Sequence, residues 1–267
     1  MGSTLSTSEQ LVNLDEHGCF REGEVPAYPL RSASRRAAPL RILCLHGKGS
    51  SNAVSAMQVC HIGLKEIAKC DFLNGPVPDV AFSRDVEEFF GGKYWRWHTH
   101  PTWADMESGL RRVVKYVDAH GPYDGVFAFS QGAGVATLLS RPAALKALGR
   151  PDGSPLWRFV VCACGVDRSG VPEDMPNKQI EVDADGPVAL PSFHIIGKWD
   201  PFRFFSSGLA GRYAEHSTTP QAGEEASSPA VKKVVHYIQH GHELPMALTN
   251  DADFRKAFKD FLTAVAA

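Results

Sequence analysis

Three side chains in this chain have the types and the order needed for nucleophilic acyl chemistry. The first is Ser130, which follows the apolar run Val126-Phe127-Ala128-Phe129 and precedes the small-residue stretch Gln131-Gly132-Ala133-Gly134. A serine at the end of a buried strand, in a sharp turn that opens a helix, presents its hydroxyl clear of the backbone. The turn tolerates only small residues two positions either side, here Ala128 and Gly132. A serine hydroxyl is a weak nucleophile until a neighbouring base takes its proton. The base is sought at His242, in the segment Gln239-His240-Gly241-His242-Glu243-Leu244-Pro245 that follows the alternating run Val231–Ile238. His240 competes for the role; His242 is preferred because Gly-His followed by two residues and then Pro245 matches the usual end of such a strand–helix architecture, with Gly241 allowing a tight bend. A third group must hold the imidazole in the right tautomer. Asp200 is placed for this, in the loop Lys198-Trp199-Asp200-Pro201-Phe202 after the run Ser192–Gly197. Such a trio transfers an acyl group from an ester or thioester to the serine and then to water.

The same chemistry needs two backbone amides aimed at the developing oxyanion. The amide of Gln131, next after the serine, is one candidate. The other is Lys48, after the strand Leu40–Leu45 and the turn His46-Gly47. The order Ser, acid, His, with a His-Gly turn after an early strand, is that of the α/β-hydrolase nucleophile elbow and its partners. Taken singly, each piece has an ordinary structural explanation; the joint order favours the catalytic one.

With these motifs in place, the chain resembles the FSH-type serine hydrolase family. These are small fungal, plant and animal α/β-hydrolases that include the ovarian-cancer-associated candidate hydrolase. The resemblance rests on Arg41–Gly47, Phe72–Pro76, Tyr123–Ala133, His194–Gly197 with Asp200, and Gly241-His242 with Pro245, and spans about residues 40–266. It implies a serine carboxylesterase or thioesterase acting on short to medium acyl esters or on carrier-tethered acyl and polyketide chains. It carries the nucleophile to Ser130, the acid to Asp200 and the base to His242. Ala128 departs from the usual elbow glycine, and His240 stands where a glycine often precedes the Gly-His pair.

These residues are expected on α/β elements. The expected fold is a mostly parallel sheet with helices on both faces, ligands binding beyond the carboxyl ends of the strands. Helices are expected over about 53–69 and 106–119, the latter with Leu110, Val113, Val114 and Val117 on one side. The ring-bearing positions Phe254, Phe258 and Phe261, with Leu262, mark a closing helix whose stripe faces the core. Phe159–Ala163 reads as a central strand, with Cys162 and Cys164 on one of its faces. The expected domain is 40–267, preceded by a flexible extension over 1–39.

An aromatic stretch around 82–104 is expected to form a lid-like insertion over the site. Within it Trp95 and Trp97 are candidate substrate contacts, together with His46 and with Phe202 beyond the acid; Arg96 reads first as a surface charge, with a substrate carboxylate or phosphate as the alternative partner. His98 and His100 have ligand spacing without a third ligand, so no metal is expected, and acyl transfer by such a trio needs no cofactor.

The net charge of −2 offers no electrostatic case for nucleic acid. No apolar run has membrane-spanning length. Met1–Ser6 fits an N-myristoylation pattern at Gly2, read here as a chance match that would in any case give only weak anchoring. Six cysteines without a paired framework suggest reduced thiols and a cytoplasmic setting. A small-molecule ester or thioester is the expected partner. Residues 217–230 read as a surface loop. The sequence leaves acyl length, leaving group and oligomeric state open, and keeps two alternatives: a carrier-linked thioesterase, and a ligand-binding relative with little turnover.

Overall fold

The computed structural model of the chain describes residues 39–166, 186–215, 233–246 and 248–266. The N-terminal extension, Gly2 and the segment 217–230 lie outside the described residues.

In chain order, strand β1 (Leu40–Leu45) leads through helix α1 (Asn52–His61) to β2 (Ala68–Leu73). A short antiparallel hairpin follows, β3 (Val77–Asp79) and β4 (Tyr94–Arg96), with helix α2 (Arg84–Phe90) between its strands. Then come α3 (Trp103–His120), β5 (Gly125–Phe129), α4 (Gln131–Leu139), α5 (Pro142–Ala147) and β6 (Phe159–Ala163). The chain closes with β7 (Ser192–Gly197), α6 (Arg203–Gly211), β8 (Lys233–Ile238) and α7 (Ala252–Ala266). The six main strands form one sheet in the order β2-β1-β5-β6-β7-β8, every neighbouring pair parallel.

Parallel strands covered on both faces read as continuous apolar runs, and all residues of β5, β6 and β7 are buried. Side chains alternate between two cores. Val126, Ala128, Val160 and Cys162 pack with α3, α4 and α5 on one face; Phe127, Phe129, Val161 and Phe193 pack with α1 and α7 on the other. Helix α7 buries Phe254, Phe258 and Phe261 against Phe193, with ring centroids 5.1–6.1 Å apart. Each such ring contributes about 1.5–3 kcal/mol by leaving water.

Two local expectations need correction. The helix expected over 53–69 stops at His61, because Gly63 takes a left-handed backbone (φ 70°) and the chain passes through a single 3-10 turn into β2. The apolar residues Leu64 and Ile67 had extended the helical pattern past that break. Cys162 and Cys164 also do not share a face: Cys162 lies in one core and Cys164 in the other. Strand β6 ends at Ala163, and Cys164 takes a left-handed conformation (φ 46°) that turns the chain out of the alternation.

The order of the sheet fixes where a ligand can sit. From β1 the chain runs outward to β2, then returns to place β5 on the other side of β1. Connections that leave neighbouring strands in opposite directions open a crevice at the carboxyl ends of the strands. The His46-Gly47 turn after β1 and Ser130 after β5 both lie at that crevice.

Candidate active site

Ser130 occupies the turn between β5 and α4 with φ 51° and ψ −117°. A left-handed backbone at a non-glycine residue is strained and persists only when its surroundings over-determine it. They do so here: the Ser130 amide donates to the Ala163 carbonyl (3.0 Å), and the Ser130 carbonyl accepts from the amides of Ala133 and Val166 (3.0 Å each). Gly132 sits where α4 meets the end of β1. A Cβ there would stand 2.6 Å from the His46 carbonyl oxygen, so only glycine lets the helix approach. Ala128, at the departure from the usual glycine, is fully buried between β1 and β6 without breaking the ladder.

The other two groups arrive from β7 and β8. His242 Nε2 lies 2.8 Å from Ser130 Oγ, and His242 Nδ1 lies 2.8 Å from Asp200 Oδ2. Asp200 Oδ1 accepts from the Phe202 amide (2.7 Å), which fixes the carboxylate. The Asp200 side chain is fully buried and that of His242 is nearly so. The acid and histidine loops are sewn together by the Trp199 amide donating to the His240 carbonyl and by the Lys198 amide donating to that of Ile238. At Gly197 the two loops come so close that a Cβ would collide with the Gly241 carbonyl oxygen. His240 faces Glu243 instead, at 3.3 Å on the exposed side.

The His46-Gly47 turn abuts Ser130: a Cβ on Gly47 would lie 3.1 Å from Ser130 Cβ. Lys48 itself is exposed. The loop carrying it is braced by the aromatic segment. Ser50 and Trp95 exchange backbone hydrogen bonds (3.3 and 2.8 Å), and the Phe82 amide donates to the Gly49 carbonyl (2.8 Å). The Gln131 side chain completes the brace, its Oε1 accepting from the Trp97 amide and its Nε2 donating to the His98 carbonyl, both at 2.9 Å. Sequence reasoning assigned Gln131 only a backbone role; a polar side chain directly after Ser130 was the available signal.

Two expected substrate contacts are not at the surface of the site. His46 is fully buried, its Nε2 accepting from the Gly75 amide (2.9 Å) and its Nδ1 2.6 Å from the Gly47 carbonyl. An acceptor Nε2 requires the proton on Nδ1, so the ring is neutral, and burial holds its pKa down to about 4. Trp97 is also fully buried, its ring tilted against that of His46 at 5.2 Å between centroids and its Nε1–H donating to the His46 carbonyl (2.7 Å). Both hold the turn after β1, with their polar atoms bonded inside the fold. Their aromatic and polar character signalled contact, but their bonding capacity is spent internally. Trp95 is half-buried beside Ser50. Phe202 stands with its ring centroid 5.0 Å from that of His242. Two residues not singled out, Phe82 and Phe129, do the same at 5.8 and 5.3 Å. Arg96 is occupied by the buried carboxylate of Asp79 at 2.6 Å.

Cys164 joins Asp200 and His242 within 4.8 Å as a set of ligand-type atoms. Two of the three are committed to the hydrogen bonds just described. Burial and the Asp200 charge push the Cys164 thiol far up, which makes it a poor metal ligand in this setting.

The description serine hydrolase (FSH1) fits residues 35–245 of this sequence. The chain belongs to the serine hydrolase (FSH1) family. Its similarity to esterase FPY3 of Fusarium mangiferae is 26% identity over 181 residues, 64% of this chain and 79% of that one. With esterase OVCA2 of Bos taurus it shares 37% identity over 95 residues, 36% of this chain and 37% of the relative. In fold it is similar to a carboxylesterase from Mesorhizobium loti, with a TM-score of 0.51, 12% identity, and coverage of 84% and 88% of the two chains. The chain is therefore a serine hydrolase, with the α/β-hydrolase fold. Among the described residues no helix is long and apolar enough to cross a membrane.

Proposed function

We propose that the enzyme hydrolyses carboxylic esters of short to medium acyl chains through a covalent acyl-enzyme on Ser130. The observation that carries this reading is the continuous chain Ser130 Oγ, His242, Asp200 at 2.8 Å per step. His242 Nε2 takes the proton of Ser130 as Oγ attacks the ester carbonyl. Asp200 keeps the Nδ1 proton in place and stabilises the imidazolium. The amides of Gln131 and Lys48 receive the oxyanion; removal of one such donor in a related mechanism costs about 3 kcal/mol. His242 then protonates the departing alcohol, and on the return half-reaction it activates the water that attacks the acyl-enzyme. Trp95 and Phe202 contribute apolar walls. The trio needs neither a metal nor an organic cofactor for these steps.

A chain-length series of p-nitrophenyl esters beside matched acyl-CoA thioesters tests the reading. Ester turnover that peaks at one acyl length and vanishes in Ser130→Ala is expected. Turnover confined to the thioesters would move the assignment to a thioesterase. Absence of both would leave a ligand-binding protein.

A further inference from the structure

Three aromatic rings surround the imidazole that the proposed reaction uses, and they are not equivalent. Phe129 is buried at the end of β5, beneath Gly47. Phe202 is half-buried on the loop that carries the acid. Phe82 is 55% exposed and stands over His242 at 5.8 Å, on a loop whose backbone is tied to the turn after β1 at Gly49. A molecule approaching His242 therefore meets Phe82 and Phe202. The one charged group that His242 is bonded to, Asp200, lies behind it on Nδ1 with a fully buried side chain.

The position of Nε2 gives these rings a meaning. In the first half-reaction the tetrahedral intermediate collapses: the bond from carbon to the leaving oxygen breaks, its electron pair goes to that oxygen, and the carbonyl re-forms from the oxyanion. The leaving oxygen takes its proton from His242 Nε2, so it must come within hydrogen-bond reach of that atom. Whatever is attached to the oxygen then lies within a few ångströms of the imidazole, against Phe82 and Phe202. From this we infer that these two rings form the alcohol side of the site and that the enzyme is selective for esters whose leaving group is apolar, an aryl or aryl-alkyl alcohol. The inference rests on the ester-hydrolase reading above and specifies which half of the ester is recognised here.

The physical grounds are those of ring packing. An aromatic leaving group gains offset or edge contacts with Phe82 and Phe202 beyond the area it removes from water. A polyether of equal length gives up water hydrogen bonds to the same rings and recovers none. Phe82 is the decisive residue because it is exposed, belongs to neither hydrophobic core, and can be replaced without opening a cavity.

The test compares benzyl butyrate with the butyrate of diethylene glycol monomethyl ether. The acyl group is the same in both, and each rate is divided by that ester's rate with hydroxide. The wild-type kcat/KM ratio should favour the benzyl ester about tenfold, and Phe82→Ser should lower that ratio about fivefold while Phe82→Leu lowers it less. A wild-type ratio near one, or a ratio unchanged in both Phe82→Ser and Phe202→Ser, would overturn the inference while leaving the esterase intact. Failure to hydrolyse either ester would remove the ester-hydrolase reading, and the inference with it.

Discussion

At Ser130 the cost of the strained backbone and the benefit of a hydroxyl aimed at His242 meet in one residue. The strain is held by hydrogen bonds to Ala163, Ala133 and Val166 that do not involve the side chain, so the hydroxyl can be removed without releasing the turn. Ser130→Ala should lower kcat by at least about 10⁴-fold, with a melting temperature within a few degrees of wild type. Residual turnover at a tenth of wild type would place the nucleophile elsewhere. Asp200→Asn should keep the fold and lower kcat strongly, because the amide can present its NH2 to Nδ1 and so favour the wrong tautomer of His242. Intact kcat in that variant would mean that the 2.8 Å contact does not orient the base. That these three residues come together could be read from the sequence, because each follows a strand whose end the parallel sheet brings to the same edge. The burial of His46 and Trp97 was not legible, because the same residue types serve both ligand contact and buried turns. Only the Gly75 amide on His46 Nε2 and the His46 carbonyl on Trp97 Nε1 tell the two uses apart.

Among the elements, the parallel strands and α7 were legible because their apolar patterns are long and regular. The end of α1 was not, since Leu64 and Ile67 continue its pattern beyond the glycine that stops it. The role of the aromatic segment was legible only in part. A covering stretch was expected; its work as a brace for the turn after β1 depends on backbone pairing of Ser50 with Trp95 and on the Gln131 side chain, which no periodicity records. Gln131→Ala retains the backbone amide but frees Trp97 and His98. It should cost about 1–2 kcal/mol of stability and reduce kcat/KM by about an order of magnitude, checked by urea unfolding and ester kinetics. Unaltered kinetics would show that the brace does not set the site. Gly197→Ala forces apart the loops that carry Asp200 and His242. It should destabilise by about 1–3 kcal/mol and lower kcat more than Ser130 labelling falls, since the nucleophile stands on a different strand.

For the whole molecule, two buried histidines couple folding to pH. Burial lowers His46 to about 4 and His194 to about 3, from the 6.5 of an exposed ring. As pH falls below 6.5 the unfolded chain takes up protons that the folded chain refuses, so stability decreases. The loss from His46 is complete below about pH 4; that from His194 continues to about pH 3. The slope is on the order of 1 kcal/mol per pH unit per histidine. Urea midpoints measured from pH 6.5 to 4 should therefore decline, and less steeply in His194→Gln; parallel declines would contradict the assignment. The account as a whole stands on a covalent step at a single serine. Its most direct test is to mix the enzyme with a slowly deacylating aryl ester, quench within the first turnover, and locate the added mass by peptide mapping. An acyl group on the peptide containing Ser130, absent from Ser130→Ala and discharged by hydroxylamine, is the predicted result. Full hydrolysis of the ester with Ser130 unmodified at every quench time would contradict it.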